Sequence, residues 1–92
     1  MEIRWSIPAA EDLERICERI QLDNPEAARR IARTIYDGCL RLKNFPNLGR
    51  ASVRMPGRRE LLFSPLPYIA VYMVAEHAVE ISHIYHGAQD WP

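Results

Sequence analysis

Two helix starts, each pairing a capping side chain with a nearby proline, constrain this chain more than any other feature. Ser6 precedes Ile7-Pro8, and Asn24 directly precedes Pro25-Glu26. A side-chain oxygen at the cap accepts an otherwise unsatisfied backbone N–H, and a proline in the first turn forfeits no hydrogen bond. Behind the first start, Leu13, Ile16, Cys17 and Ile20 follow the i, i+3, i+4, i+7 spacing of a helical stripe, while Glu11, Asp12 and Glu14 sit near the positive end of the helix dipole. Behind the second, Ala28, Ile31, Ile35, Cys39 and Leu42 continue an apolar seam for about four turns. Only Leu22-Asp23 separates the two segments, so they form an antiparallel pair. Asn44-Phe45-Pro46-Asn47-Leu48-Gly49 then ends the second helix.

The remainder reads as strands. Glu2 to Ser6 alternates, with Ile3 and Trp5 on one face. Arg59 to Ser64 is a second strand, closed by Ser64-Pro65-Leu66-Pro67. Tyr68 to Ala75 is apolar, β-branched or aromatic on both faces, as a central strand covered on two sides should be. Glu76-His77 makes a tight turn, and Ala78 to Tyr85 returns with Val79, Ile81, His83 and Tyr85 on one face. No crossover helix separates the last strands, so they form an antiparallel meander. The expected fold is α+β in the order β-α-α-β-β-β: an N-terminal strand and a helical hairpin packed on a small antiparallel sheet. One domain spans residues 1–92, with no repeat or linker.

Composition narrows the class. A hydrophobic content of 48% with 26% charged residues is that of a globular protein, and no apolar run approaches the roughly 20 residues of a membrane span. The start Met1-Glu2-Ile3-Arg4-Trp5 lacks the basic-then-apolar layout of an export signal, so the cytosol is the expected compartment. Cys17 and Cys39 fall on apolar helical positions and read as buried free thiols. No Cys-His cluster has zinc spacing, so neither a metal nor another cofactor is expected.

The formal net charge is zero, which argues against a generic nucleic-acid binder, but the charges are unevenly distributed. Between Arg41 and Arg59 lie six cations (Arg41, Lys43, Arg50, Arg54, Arg58, Arg59) and no acid, whereas Glu11 to Glu26 holds six acids against two arginines. Arginine suits bidentate contact with carboxylate or phosphate. Arg50, Arg54, Arg58 and Arg59 are therefore candidates to bind nucleic acid or an acidic partner. His83, on the face of Val79 and Ile81, reads as a satisfied core histidine, and His77 as a turn residue. Trp91 reads as an anchor for the tail.

The ordered set Pro8-Ala9-Ala10-Glu11-Asp12-Leu13, Asn24-Pro25-Glu26-Ala27-Ala28, Phe45-Pro46-Asn47-Leu48-Gly49-Arg50, Arg59-Glu60-Leu61, Pro67-Tyr68-Ile69-Ala70-Val71-Tyr72 and Ile84-Tyr85-His86-Gly87-Ala88-Gln89 resembles toxins of the RelE/ParE superfamily, the plasmid-stabilisation type. The resemblance covers nearly the whole chain. It implies a type II toxin–antitoxin system in which a cognate antitoxin binds the toxin in a hetero-oligomer, with no membrane involved. It also implies one of two targets. RelE-like members cut mRNA on the ribosome without a metal; ParE-like members inhibit DNA gyrase.

Metal-free RNA cleavage needs a base, an acid and cations around the phosphorane. His86 corresponds to the C-terminal histidine of YoeB-like nucleases and is the acid/base candidate, with Tyr85 and Arg59 as possible helpers. Tyr85 and His86 can serve together only if the strand has ended, because successive strand residues face opposite ways. The nucleases carry an arginine in the central strand where this chain has Ile69, and a more cationic strand before it than Glu60-Leu61-Leu62-Phe63. Those departures and the neutral charge favour the ParE-like reading, inhibition by binding gyrase. The alternatives are a ribosome-dependent endoribonuclease and a degenerate toxin that only binds its antitoxin as co-repressor.

Overall fold

The computed structural model describes residues 1–88, so the expected Trp91 anchor lies outside the described residues. Strand β1 (Glu2–Trp5) leads into α1 (Ile7–Gln21) and α2 (Pro25–Leu40), which ends in a single 3₁₀ turn at Arg41–Lys43. Four strands follow: β2 (Arg50–Ala51), β3 (Arg59–Leu62), β4 (Tyr68–Val74) and β5 (Ala78–His86). Both caps form as expected: Ser6 Oγ accepts the Ala9 N–H and Asn24 Oδ1 accepts the Ala27 N–H, each at 3.1 Å. Among the described residues no helix is long and apolar enough to cross a membrane.

The sheet has the order β1-β5-β4-β3-β2, with β4 at its centre. Strands β2 to β5 pair antiparallel, and the N-terminal strand adds to the far side parallel to β5, pairing Ile3 with Val79 and Trp5 with Ile81. The sheet is thus mixed, and two-residue β2 is an element beyond the expected order. A parallel neighbour is possible because the helical hairpin and the meander both intervene between β1 and β5, giving the chain length to return.

One face of the sheet carries the helices. Ile35, Cys39 and Leu42 of the second seam are fully buried against Ala70, Tyr72, Val79 and Ile81, while Leu13, Ile16 and Ile31 pack around them. Trp5 stacks on Tyr36 of α2 with centroids 6.2 Å apart and closes that side. The two cysteines are free thiols. Burial pushes the Cys39 thiol up to about 12 from its ordinary 9.0. The folded state therefore keeps the proton that the unfolded chain releases above its own lower pKa. Stability is complete below that value and declines as pH rises toward 12. Urea titrations at about pH 8 and about pH 10.5 should differ by at least about 2 kcal/mol, because burial also raises Cys17, Tyr72 and Tyr85, and Cys39→Ala should reduce that slope. A flat profile in the wild-type chain would contradict the burial.

Between Val71 and Tyr72 the β4–β5 register shifts: Val71 faces His83 and Tyr72 faces Ile81, leaving Ser82 as an extra residue. This bulge turns the rest of β5 over. Val79, Ile81 and Ile84 join the helix-side core, while His83 and Tyr85 point to the opposite face. His83 is accordingly not the core histidine that strict alternation predicts, because alternation presumes an unbroken strand.

Candidate functional site

β1 hydrogen-bonds β5 only as far as Ser6, whose N–H reaches the Ile81 carbonyl at 3.0 Å and whose hydroxyl reaches the Ser82 carbonyl at 2.9 Å. Beyond that point α1 replaces it. Asp12, one turn into the helix, accepts the Ile84 N–H at 3.0 Å and meets His83 Nδ1 at 2.9 Å through the same oxygen. Its other oxygen takes Arg15. Asp12 thus does for this strand edge what a neighbouring strand would do, and it favours the His83 tautomer with hydrogen on Nδ1, leaving Nε2 as the outer nitrogen. The His83 ring stacks on Tyr85 at 5.1 Å. Burial, then the Asp12 carboxylate, raises the Tyr85 hydroxyl above its ordinary value, so it remains protonated at neutral pH.

His86 belongs to the other face. β5 continues through His86, so the condition under which Tyr85 and His86 could act together is not met within the strand. His86 sits opposite Tyr68 and meets it edge to face at 5.5 Å, and its Nδ1 accepts the Ala88 N–H at 3.0 Å. Arg59 is opposite Tyr72, four residues along β4 from Tyr68, a separation of about 13 Å along the strand. Its guanidinium donates to the Gly49 carbonyl at 2.7 Å. The three residues therefore occupy two places: Tyr85 and His86 both border the groove between α1 and the end of β5, and Arg59 lies at the far end under the 44–49 loop.

The cationic candidates divide similarly. Arg50 donates twice to Glu60 Oε1, at 3.2 and 3.0 Å, and Ser52 donates to the other oxygen at 2.7 Å. Glu60 is only 4% exposed, so this pairing satisfies a buried carboxylate. Arg58 Nη1 lies 3.2 Å from the Met73 sulfur. Arg54 stands on the exposed loop between β2 and β3. Ile69 lies between Leu62 and Tyr85, an apolar row on the open face where the resemblance places an arginine. Among the described residues no group of three or more His, Cys, Asp or Glu is arranged to hold a metal ion.

Sequence reasoning missed Asp12, Arg15 and Arg19. These line, with Tyr85, His86, Tyr68 and Ile84, a groove of about 460 Å³ between α1 and the end of β5. The only signal was spacing: 12, 16 and 19 share one helix face with the apolar stripe.

Residues 3–91 match the family described as the ParE toxin of the type II toxin–antitoxin system parDE. A protein of Sinorhizobium fredii named "Putative toxin Y4kP" is 36% identical over 90 residues, spanning 98% of this chain and 92% of that one. A solved structure described as a chromosomal ParDE system from P. aeruginosa superposes with a TM-score of 0.83 at 27% identity, covering 94% of this chain and 95% of that one. With a family match across nearly its whole length and a relative of that similarity, the chain belongs to the ParE toxin family of type II toxin–antitoxin systems.

Proposed function

We propose that this toxin arrests growth by binding a protein target, DNA gyrase, and that a cognate antitoxin neutralises it. The observation that supports binding over catalysis is the distance of the cationic candidate Arg59 from Tyr85 and His86. Tyr85 and His86 border one groove, but Arg59 lies at the far end of the sheet with its guanidinium tied to the Gly49 carbonyl. The strand position suited to an arginine carries Ile69 within an apolar row. Removing an oxyanion-type donor from such a site costs about 3–4 kcal/mol of transition-state stabilisation. Inhibition by binding requires no such constellation. On this reading Arg50, Arg54, Arg58 and Arg59 form a cationic rim for the target, with Arg50 and Arg59 also anchoring the 44–52 region.

One observation favours a second reading. His83, oriented by a nearly buried carboxylate and stacked on Tyr85, has the form of a positioned base. If the chain cuts RNA, His83 rather than His86 is the residue to take the 2′-hydroxyl proton.

Purified toxin should block gyrase supercoiling in vitro while leaving ribosome-bound mRNA intact. Codon-positioned mRNA cuts that vanish in His83→Ala, with supercoiling unaffected, would replace the gyrase reading with the nuclease one.

A further inference from the structure

Exposed loops favour glycine, proline and small polar residues, yet the β2–β3 loop runs Ser52-Val53-Arg54-Met55-Pro56-Gly57. Val53 is 94% exposed, more than any other large hydrophobic side chain among the described residues. The loop is held without it. The Ser52 N–H donates to the Arg58 carbonyl at 2.9 Å and closes the base, and the Arg58 N–H donates to the Met55 carbonyl at 3.0 Å. The Ser52 hydroxyl accepts the Met55 N–H at 3.0 Å and donates to Glu60 Oε2 at 2.7 Å. The buried Glu60 carboxylate thus fixes the loop from inside the sheet edge, and Gly57, at φ +81°, turns the chain back toward β3. Bonds on both sides of Val53 and Arg54 lower the entropy lost when a partner grips the tip. The surroundings are cationic: Arg50 pairs with Glu60 yet keeps its side chain 64% exposed, Arg54 is exposed beside Val53, and residues 41–59 include no acid.

We propose that the tip of the β2–β3 loop is the element that grips the toxin's protein target: Val53 enters an apolar socket, and Arg50 and Arg54 meet carboxylates on its rim. The inference rests on the reading that this chain arrests growth by binding a protein, and it names the toxin's side of that contact. A socket of this kind answers both features of the tip. Carboxylates take a guanidinium in bidentate fashion, and charges at a rim fix register and speed encounter, while the apolar side chain is removed from water. Nucleic acid fits less well. A branched aliphatic side chain offers no flat face for a base to stack on, and a chain of zero net charge gains little from displaced counterions. A second copy of the chain fits less well still, because it would bring the same cations face to face.

The test compares full-length wild-type toxin with Val53→Asp, Val53→Ala and Leu22→Asp as inhibitors of supercoiling by purified gyrase. The substituted sites are exposed, so all four proteins should share one melting curve. Val53→Asp forces a charge into the apolar socket and should raise the concentration for half-inhibition at least about tenfold; Val53→Ala should raise it about threefold. Leu22, at the helical hairpin link, is 87% exposed, and Leu22→Asp should inhibit as the wild type does. Inhibition by Val53→Asp within about twofold of wild type would overturn the proposal, as would an equal loss in Leu22→Asp. A single-stranded RNA oligomer bound by the wild type and lost from Val53→Asp would give the tip to nucleic acid and overturn it too. If the wild type itself leaves supercoiling untouched, the gyrase reading falls and growth arrest decides the loop. Arrest by induced Val53→Asp as strong as the wild type's then overturns the proposal, whereas lost arrest upholds the tip as the contact with another protein target.

Discussion

Gly49→Ala is expected to destabilise the protein by about 3–4 kcal/mol, lowering its melting temperature by roughly 15 °C or more. A Cβ at this position would lie 2.6 Å from the Glu60 carbonyl oxygen and 2.8 Å from both the ring and the hydroxyl of Tyr72. The carbonyl belongs to β3 and cannot swing aside, so either the loop or the sheet must move. Movement in turn breaks a buried connection: the Gly49 N–H donates to the Tyr72 hydroxyl at 2.8 Å, and that hydroxyl donates to the Pro46 carbonyl at 2.8 Å. Each such buried group left unpaired costs about 1–3 kcal/mol. Tyr72→Phe isolates that part of the effect and should cost about 2 kcal/mol. By contrast, alanine at Gly57 meets nothing within 4 Å and strains only its backbone, where φ is +81°. Circular-dichroism melting of the three variants checks the order, and a Gly49→Ala protein melting within a few degrees of wild type would mean that the loop is not held as described.

Asp12→Ala should cost about 2–3 kcal/mol, and its effect should be local to one strand edge. The side chain accepts the Ile84 N–H and contacts His83 and Arg15, and it is only 11% exposed. Without it the Ile84 N–H has no strand beside it, because β1 ends before reaching that level. Amide exchange at Ile84 should therefore accelerate far more than at Ile81, which lies within the parallel pairing. Asp12→Asn keeps the shape but weakens the charge-assisted bonds, and should fall between wild type and alanine. If Ile84 exchange is unchanged in Asp12→Ala, the carboxylate is not the partner that completes this edge. The same loss would free α1 to shift against β5 and so alter the groove that Arg15 and Arg19 line.

Caps, apolar periods and breakers act over a few residues, which is why both helices and their hairpin could be read directly. Ser6 and Asn24 accept the N–H groups expected of them, and Ile35, Cys39 and Leu42 are fully buried as their spacing required. The strands from Arg59 onward also follow from local pattern, within a residue or two at their ends. The candidate site was less legible. Arg50, Arg54, Arg58 and Arg59 stood out as a run of like charge, but charge runs say nothing about which guanidinium meets a buried Glu60 or a loop carbonyl. Arg15 and Arg19 were hidden inside an acidic segment because a helix separates its faces by angle rather than by sequence distance.

Local chemistry, then, specifies the elements of this protein: capped helices, their shared apolar seam, a β-rich second half and, through ordered motifs, the family. Three features arise only when distant segments meet. The parallel return of β1 to β5 depends on the hairpin bringing Ile3 beside Val79. The bulge at Ser82 reverses His83 and Tyr85 because pairing with β4 and capping by Asp12 together favour one extra residue in β5. The cationic groove exists because that same Asp12 draws α1 against the end of β5, 72 residues away along the chain from the amide it holds. Short-range propensities act between near neighbours, whereas register, face and groove depend on contacts whose partners are far apart in sequence.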